Sequence, residues 1–207
     1  SFFKPYYLIM KLFICLAFFV LLTSCSNSNK NLNISVNIPK NIVKIENKHA
    51  ILLSPESFKI KKEIKSEDCE SWQLNYNFKK LFNDSYIKLL NKMFGEVVFT
   101  ERKLFKKELE NQNFTTFINF NENFFSLEFL TIRNTGKLKV SLTSNFVVEG
   151  NDKIVKNVIK SEQSWEKNVY FNCNVADGAS KISQIAFENL MNQAHEKIYS
   201  SVKNIIR

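Results

Sequence analysis

Eleven apolar residues, 12–22, run without interruption between Lys11 and Thr23. As a helix this run reaches roughly 17 Å at ~1.5 Å per residue, against a bilayer core about 30 Å thick. It is too short for a comfortable permanent span and has the size of a signal-peptide h-region behind the short, positively charged start Met10-Lys11. The consequence for folding is direct: residues 1–24 are expected to be a leader and to take no part in the fold. Residues 1–9 lie upstream of Met10 and read as a fragment edge or an upstream extension, the alternative being a longer n-region with Lys4.

Leu22-Thr23-Ser24-Cys25 closes the run. This resembles the lipobox of bacterial lipoproteins, in which cleavage falls before the Cys and lipid is attached to its thiol. The resemblance implies lipidation at Cys25: the small Ser24 leaves the bond open to a peptidase, and the Cys25 thiol is the nucleophile. Residues 25–31 are polar and rich in Ser and Asn, the composition of a flexible tether. Ser26, directly after the Cys, resembles the residue choice of lipoproteins sent to the outer membrane.

Residues 32–207 are long enough for one domain with a sizeable core. The 20 Phe and only 4 Gly exclude disordered or low-complexity architecture. Net charge is +9, and the mature part keeps +7 once Lys4 and Lys11 leave with the leader. The lysines occur as scattered pairs, such as Lys61-Lys62, Lys79-Lys80 and Lys106-Lys107, without interleaved aromatics, so no nucleic-acid interface is expected. After removal of the leader with Cys15, and lipidation of Cys25, two thiols remain. Cys69 and Cys173 form an even pair in a compartment that permits disulfides, and a Cys69–Cys173 bond is expected.

Hydrophobic spacing orders the rest. Residues 32–38 alternate and predict a strand stopped by Pro39; 50–53 and 58–64 predict two more. In residues 71–94, Leu74, Phe78, Leu81, Phe82, Leu89, Leu90, Met93 and Phe94 form one helical stripe, with Gly95 placed as a left-handed cap. Residues 96–100 predict a strand and 103–110 a short helix. Strands follow at 114–120, 124–132 and 136–148, the last with an interruption at Ser144. A turn at 149–152 leads into a returning strand at 153–160, with a further strand at 164–171. A final helix, capped by Asp177 or Ser180, runs to about residue 204 on a stripe that includes Ile182, Ala186, Leu190 and Ile198. The expected fold is α+β: a mainly antiparallel sheet with two long amphipathic helices on one face. Phe124, Leu130 and Ile132 are out of phase with Phe125, Leu127 and Phe129, so this strand is apolar on both faces; it is either covered on both sides, the favoured expectation, or exposes a patch to a partner.

No catalytic constellation is visible. His49 and His195 each lack a second ligand or carboxylate at useful spacing and read as exposed or rim histidines. Glu67, Asp68 and Glu70 flank Cys69 as a solvated loop. Ser54 before Pro55 has no nucleophile elbow, and no phosphate-binding or dinucleotide fingerprint exists. No enzyme, cofactor or metal is expected.

Together the leader, Ser54-Pro55, a Cys before a long helix, the Phe94-Gly95-Glu96-Val97-Val98 strand, the Gly150-Asn151-Asp152 hairpin and the C-terminal helix resemble the YajG and LptE-like lipoproteins and the auxiliary lipoproteins of ABC-type envelope transporters. Domains of that group look like the N-terminal domain of TolB. The resemblance implies a lipoprotein anchored at the periplasmic face of the outer membrane, serving envelope assembly or transport through a protein partner. The alternative is a carrier of an apolar ligand, such as a lipid, between helices and sheet.

Overall fold

The computed structural model describes residues 30–65, 74–150, 152–168 and 175–207. The leader, Cys25 and most of the tether, the acidic cluster at 67–70, and both Cys69 and Cys173 lie outside the described residues.

A six-stranded sheet carries two long helices on one face. In chain order the elements are β1 (Lys30–Asn31), β2 (Ile45–Leu53), β3 (Phe58–Lys65), β4 (Leu74–Asn75), α1 (Phe78–Met93), β5 (Phe94–Phe99), α2 (Lys106–Asn111), β6 (Thr116–Ile132), β7 (Thr135–Glu149), β8 (Ile154–Asn168) and α3 (Ala176–Ile206). The sheet runs β5-β2-β6-β7-β8, with β3 pairing β6 further along the edge that β2 begins. The long β6–β7 and β7–β8 ladders are antiparallel, and the three shorter pairings, β2–β5, β2–β6 and β3–β6, are parallel. The α+β reading with a mainly antiparallel sheet therefore holds.

The alternation of β7 explains why the layers stack this way. Leu138, Val140, Leu142, Phe146 and Val148 are buried on the helix side, as expected for a strand with period two. Their partners on β6, Phe129, Leu127, Phe125, Phe120 and Ile118, point the same way. Onto them α1 lays Phe78, Phe82 and Tyr86, and α3 lays Phe187. Phe78 stacks on Phe125 with centroids 3.9 Å apart, and Phe58, Phe82, Tyr86, Phe120 and Phe146 continue the ring chain at 4.6–5.4 Å. Such contacts add to the burial of the rings themselves.

Ser144 interrupts this apolar row because it belongs to a buried polar chain. Its hydroxyl donates to Asn123 Oδ1, and Asn123 Nδ2 donates to Ser57 Oγ at 2.9 Å. The bulge lies on the partner strand, between Phe120 and Glu122.

Several boundaries differ from the sequence reading. The first helix starts at Phe78, capped by Asn77, whose side chain accepts from the Lys80 N–H at 2.9 Å; Leu74 and Asn75 are strand. Gly95 is not a left-handed cap: no described glycine has positive φ. It stands in β5, where an added Cβ would lie 2.8–3.0 Å from Glu46. The candidate strands 114–120 and 124–132 are one strand, as are 153–160 and the described part of 164–171. Neither Asp177 nor Ser180 caps α3, which starts after Val175. Residues 32–38 keep their alternating burial but belong to no ladder beyond Asn31.

Coverage of both faces of β6 is confined to one end. There α2 folds over Phe117, and a second small core of Ala50, Leu104, Leu109, Phe114 and Phe117 forms on the side away from the long helices. Toward the β6–β7 turn no described element covers that side, and Leu130 and Ile132 are exposed.

Candidate functional site

Three described strands, β3, β6 and β8, end where a fourth, β7, begins. Lys65 of β3, Leu130 of β6, Lys137 of β7 and Glu166 of β8 share one row across the sheet. Beyond that row stands the β6–β7 turn, where Ile132 pairs with Thr135 and Arg133 takes φ 56°. Leu130 is 38% and Ile132 50% exposed. A groove of about 530 Å³ is lined by Leu130, with Glu128, Lys137, Lys139 and Glu166 around it.

The first turn of α3 sits over this same end. Gly178 lies against the Trp165 indole so closely that a Cβ there would be 2.8 Å from the ring. The N-terminal segment then runs along α3 in the direction of the helix. Asn33 N–H donates to Ser180 Oγ at 3.2 Å, and Asn37 donates to Glu188 Oε1 from its backbone at 3.2 Å and from Nδ2 at 2.7 Å. Tyr76 donates its hydroxyl proton to the Ile34 carbonyl at 3.0 Å, and β1 pairs with β4. Traced backward, this strap delivers Lys30, five residues after Cys25, to the end of the fold that bears the β6–β7 turn.

The charges here are paired on the surface. Lys65 holds Glu63 at 2.6 Å, Lys137 meets Glu166 at 3.4 Å and Lys139 meets Glu162 at 2.7 Å. Lys65 keeps the Glu63 carboxyl below its usual range, and Lys139 does the same for Glu162. Exposed pairs of this kind contribute about 0–1 kcal/mol each. Arg133 and Lys167 have no carboxylate at ion-pair distance among the described residues.

At the opposite end, Arg102 and the Phe105 N–H hold the Glu108 carboxyl down to about 2. This clamp fixes the start of α2 and leaves Phe105 69% exposed. Ile154, 65% exposed, and Val158 lie on the outer face of edge strand β8.

The other residues singled out from the sequence take different places. His49 is not a rim residue: it is fully buried, with Nδ1 2.8 Å from Thr116 Oγ1 and its ring 4.0 Å from that of Phe94. Burial lowers its pKa to about 4, so the imidazole is neutral. His195 is half-buried on α3, 6.4 Å from the Tyr199 ring. The Ser54 hydroxyl accepts the Glu56 N–H at 3.3 Å and serves a turn. Among the described residues no three His, Cys, Asp or Glu side chains are grouped to hold a metal, and no helix is long and apolar enough to cross a membrane. The contact of Trp165 with Gly178 carries no sequence signal, since only the tertiary path brings residues 165 and 178 together.

No protein-family model and no curated protein matches the chain. Among solved structures, a neuraminyllactose-binding hemagglutinin homologue from Helicobacter pylori is similar at TM-score 0.48 and 12% identity, over 85% of this chain and 96% of that one. A minor lipoprotein from Acinetobacter baumannii is similar at TM-score 0.42 and 12% identity, over 74% and 93%. A Xanthomonas campestris protein of the DUF330 family is similar at TM-score 0.41 and 6% identity, over 86% and 95%.

Proposed function

We propose that this chain is a bacterial lipoprotein, acylated at Cys25 and held at the periplasmic face of the outer membrane. It acts there as a non-enzymatic accessory in envelope assembly or transport, through contact with a protein partner, as the YajG, LptE-like and transporter-auxiliary lipoproteins do. The observation that carries the reading is the 11-residue apolar run ending in Leu22-Thr23-Ser24-Cys25. The packing supports a contact protein over a carrier. The space between α1, α3 and the sheet is occupied by Phe78, Phe82, Tyr86, Phe120, Phe125 and Phe187, all fully buried. Apolar side chains instead lie exposed at Phe105, Ile154 and Val158, at and near the end remote from the strap. Photo-crosslinking amino acids placed at Phe105 and at Ile154 in living cells are expected to trap one envelope protein. The same label at Lys80, exposed on the helix layer, serves as the comparison. Equal or absent trapping at all three positions contradicts this partner face.

A further inference from the structure

We infer that the β6–β7 turn is a membrane-contacting tip, which seats Leu130 and Ile132 in the headgroup region of the bilayer that holds the Cys25 anchor. This rests on the lipoprotein reading and adds to it an orientation. Two independent features meet at one end of the fold. The strap fixed by Asn33 on Ser180 and by Asn37 on Glu188 delivers Lys30 there. Five residues span at most roughly 17 Å at ~3.3–3.6 Å each, so an acylated Cys25 keeps this end beside the lipid surface. The same end carries two exposed aliphatic side chains on the outer face of β6; Arg133 in the turn, and Lys167 in the row of Gly136, lack carboxylates at ion-pair distance among the described residues.

Apolar tips flanked by basic side chains fit a phospholipid interface with anionic headgroups, where the aliphatic parts leave water and the cations meet phosphate. Among the described residues of this end, Glu63 and Glu166 are paired with Lys65 and Lys137. Glu128 lies on the groove wall, and Asp177 is in the first turn of α3. Ile132 stands in the row of Thr135 and Asn168. Val158 lies ten residues back along β8, roughly 33 Å away at ~3.3 Å per residue, and on this orientation it stays in water.

The test uses the full lipidated chain in phosphatidylethanolamine and phosphatidylglycerol vesicles with brominated acyl chains. Ile132→Trp and Val158→Trp are compared, with the unsubstituted protein giving the background from Trp72 and Trp165. Leu130→Trp stands in if circular dichroism shows that Ile132→Trp is misfolded. The expected result is a blue shift and loss of the added emission for the tip tryptophan, with neither for Val158→Trp. A vesicle-bound protein whose tip tryptophans are unquenched, or whose Val158→Trp is quenched equally, overturns the tip while leaving the anchor intact. Protein that fails to float with the vesicles, or a Cys25→Ser form that floats as well, overturns the anchor reading and this orientation with it.

Discussion

His49 Nδ1 lies 2.8 Å from Thr116 Oγ1 in a fully buried position that joins β2 to β6, and its Nε2 is buried without a hydrogen-bond partner among the described residues. Burial holds the folded-state pKa at about 4, against about 6.5 for an unconstrained histidine. The unfolded chain therefore binds the proton first as pH falls. The contribution of His49 to stability is full above about 6.5, declines between about 6.5 and 4, and is exhausted below. A shift of that size corresponds to about 3 kcal/mol. Urea unfolding at pH 7 and at pH 4.5 is expected to show a steep loss in the native chain. His49→Asn, which keeps a group facing Thr116 but does not titrate, should show a smaller loss. Parallel losses would remove His49 as the cause.

Gly178 stands against the Trp165 indole with no room for a Cβ. In an unobstructed helix Gly→Ala is stabilising by about 0.5–1 kcal/mol. Here Gly178→Ala is expected to cost about 1–3 kcal/mol by overpacking, and adding Trp165→Leu should recover much of it. Thermal unfolding of the two single variants and the double variant gives the coupling directly. A stabilised Gly178→Ala would show that α3 sits further from the sheet.

How much of this fold is legible in the sequence depends on what each pattern records. The stripes of α1 and α3 report one-sided burial with period 3.6, and both segments are helices. The alternation of Leu32, Ile34 and Val36 also reports one-sided burial, but the segment is held by Ser180 and Glu188 on a helix, so a strap lies where the pattern predicts a strand. Period two records which side is covered, not what covers it. Gly95 follows a helix and so resembles a cap, whereas its constraint comes from Glu46 on a neighbouring strand. His49 looks like a rim residue for a related reason: its burial comes from Phe94 and Thr116, far off in sequence. Of the tip, Leu130 and Ile132 are visible as out of phase, but the meeting of strap, turn and α3 start is tertiary.

We propose that Cys69 and Cys173, both outside the described residues, form a disulfide. Lys65, four residues before Cys69, and Glu166 share a row three strand spacings wide, about 14 Å at ~4.8 Å each. Both chains leave the sheet at that end. A bond there would close about 100 residues, for which chain-entropy estimates reach about 4.7 kcal/mol and measured bonds typically give about 2–4. Thiol titration of the denatured, unreduced mature protein should find none free, and thermal stability should fall sharply on reduction. Two titratable thiols would eliminate the bond.

The central claim is the anchor, and mass spectrometry of the protein extracted from bacterial membranes tests it most directly. The account predicts an N-terminal peptide beginning at Cys25 and carrying acyl mass, which is lost together with detergent partitioning in Cys25→Ser. Several acyl chains hold a protein firmly where one does not, so the native form should resist a high-salt wash. An uncleaved N-terminus, a start elsewhere than Cys25, or a Cys25 free of lipid would contradict it.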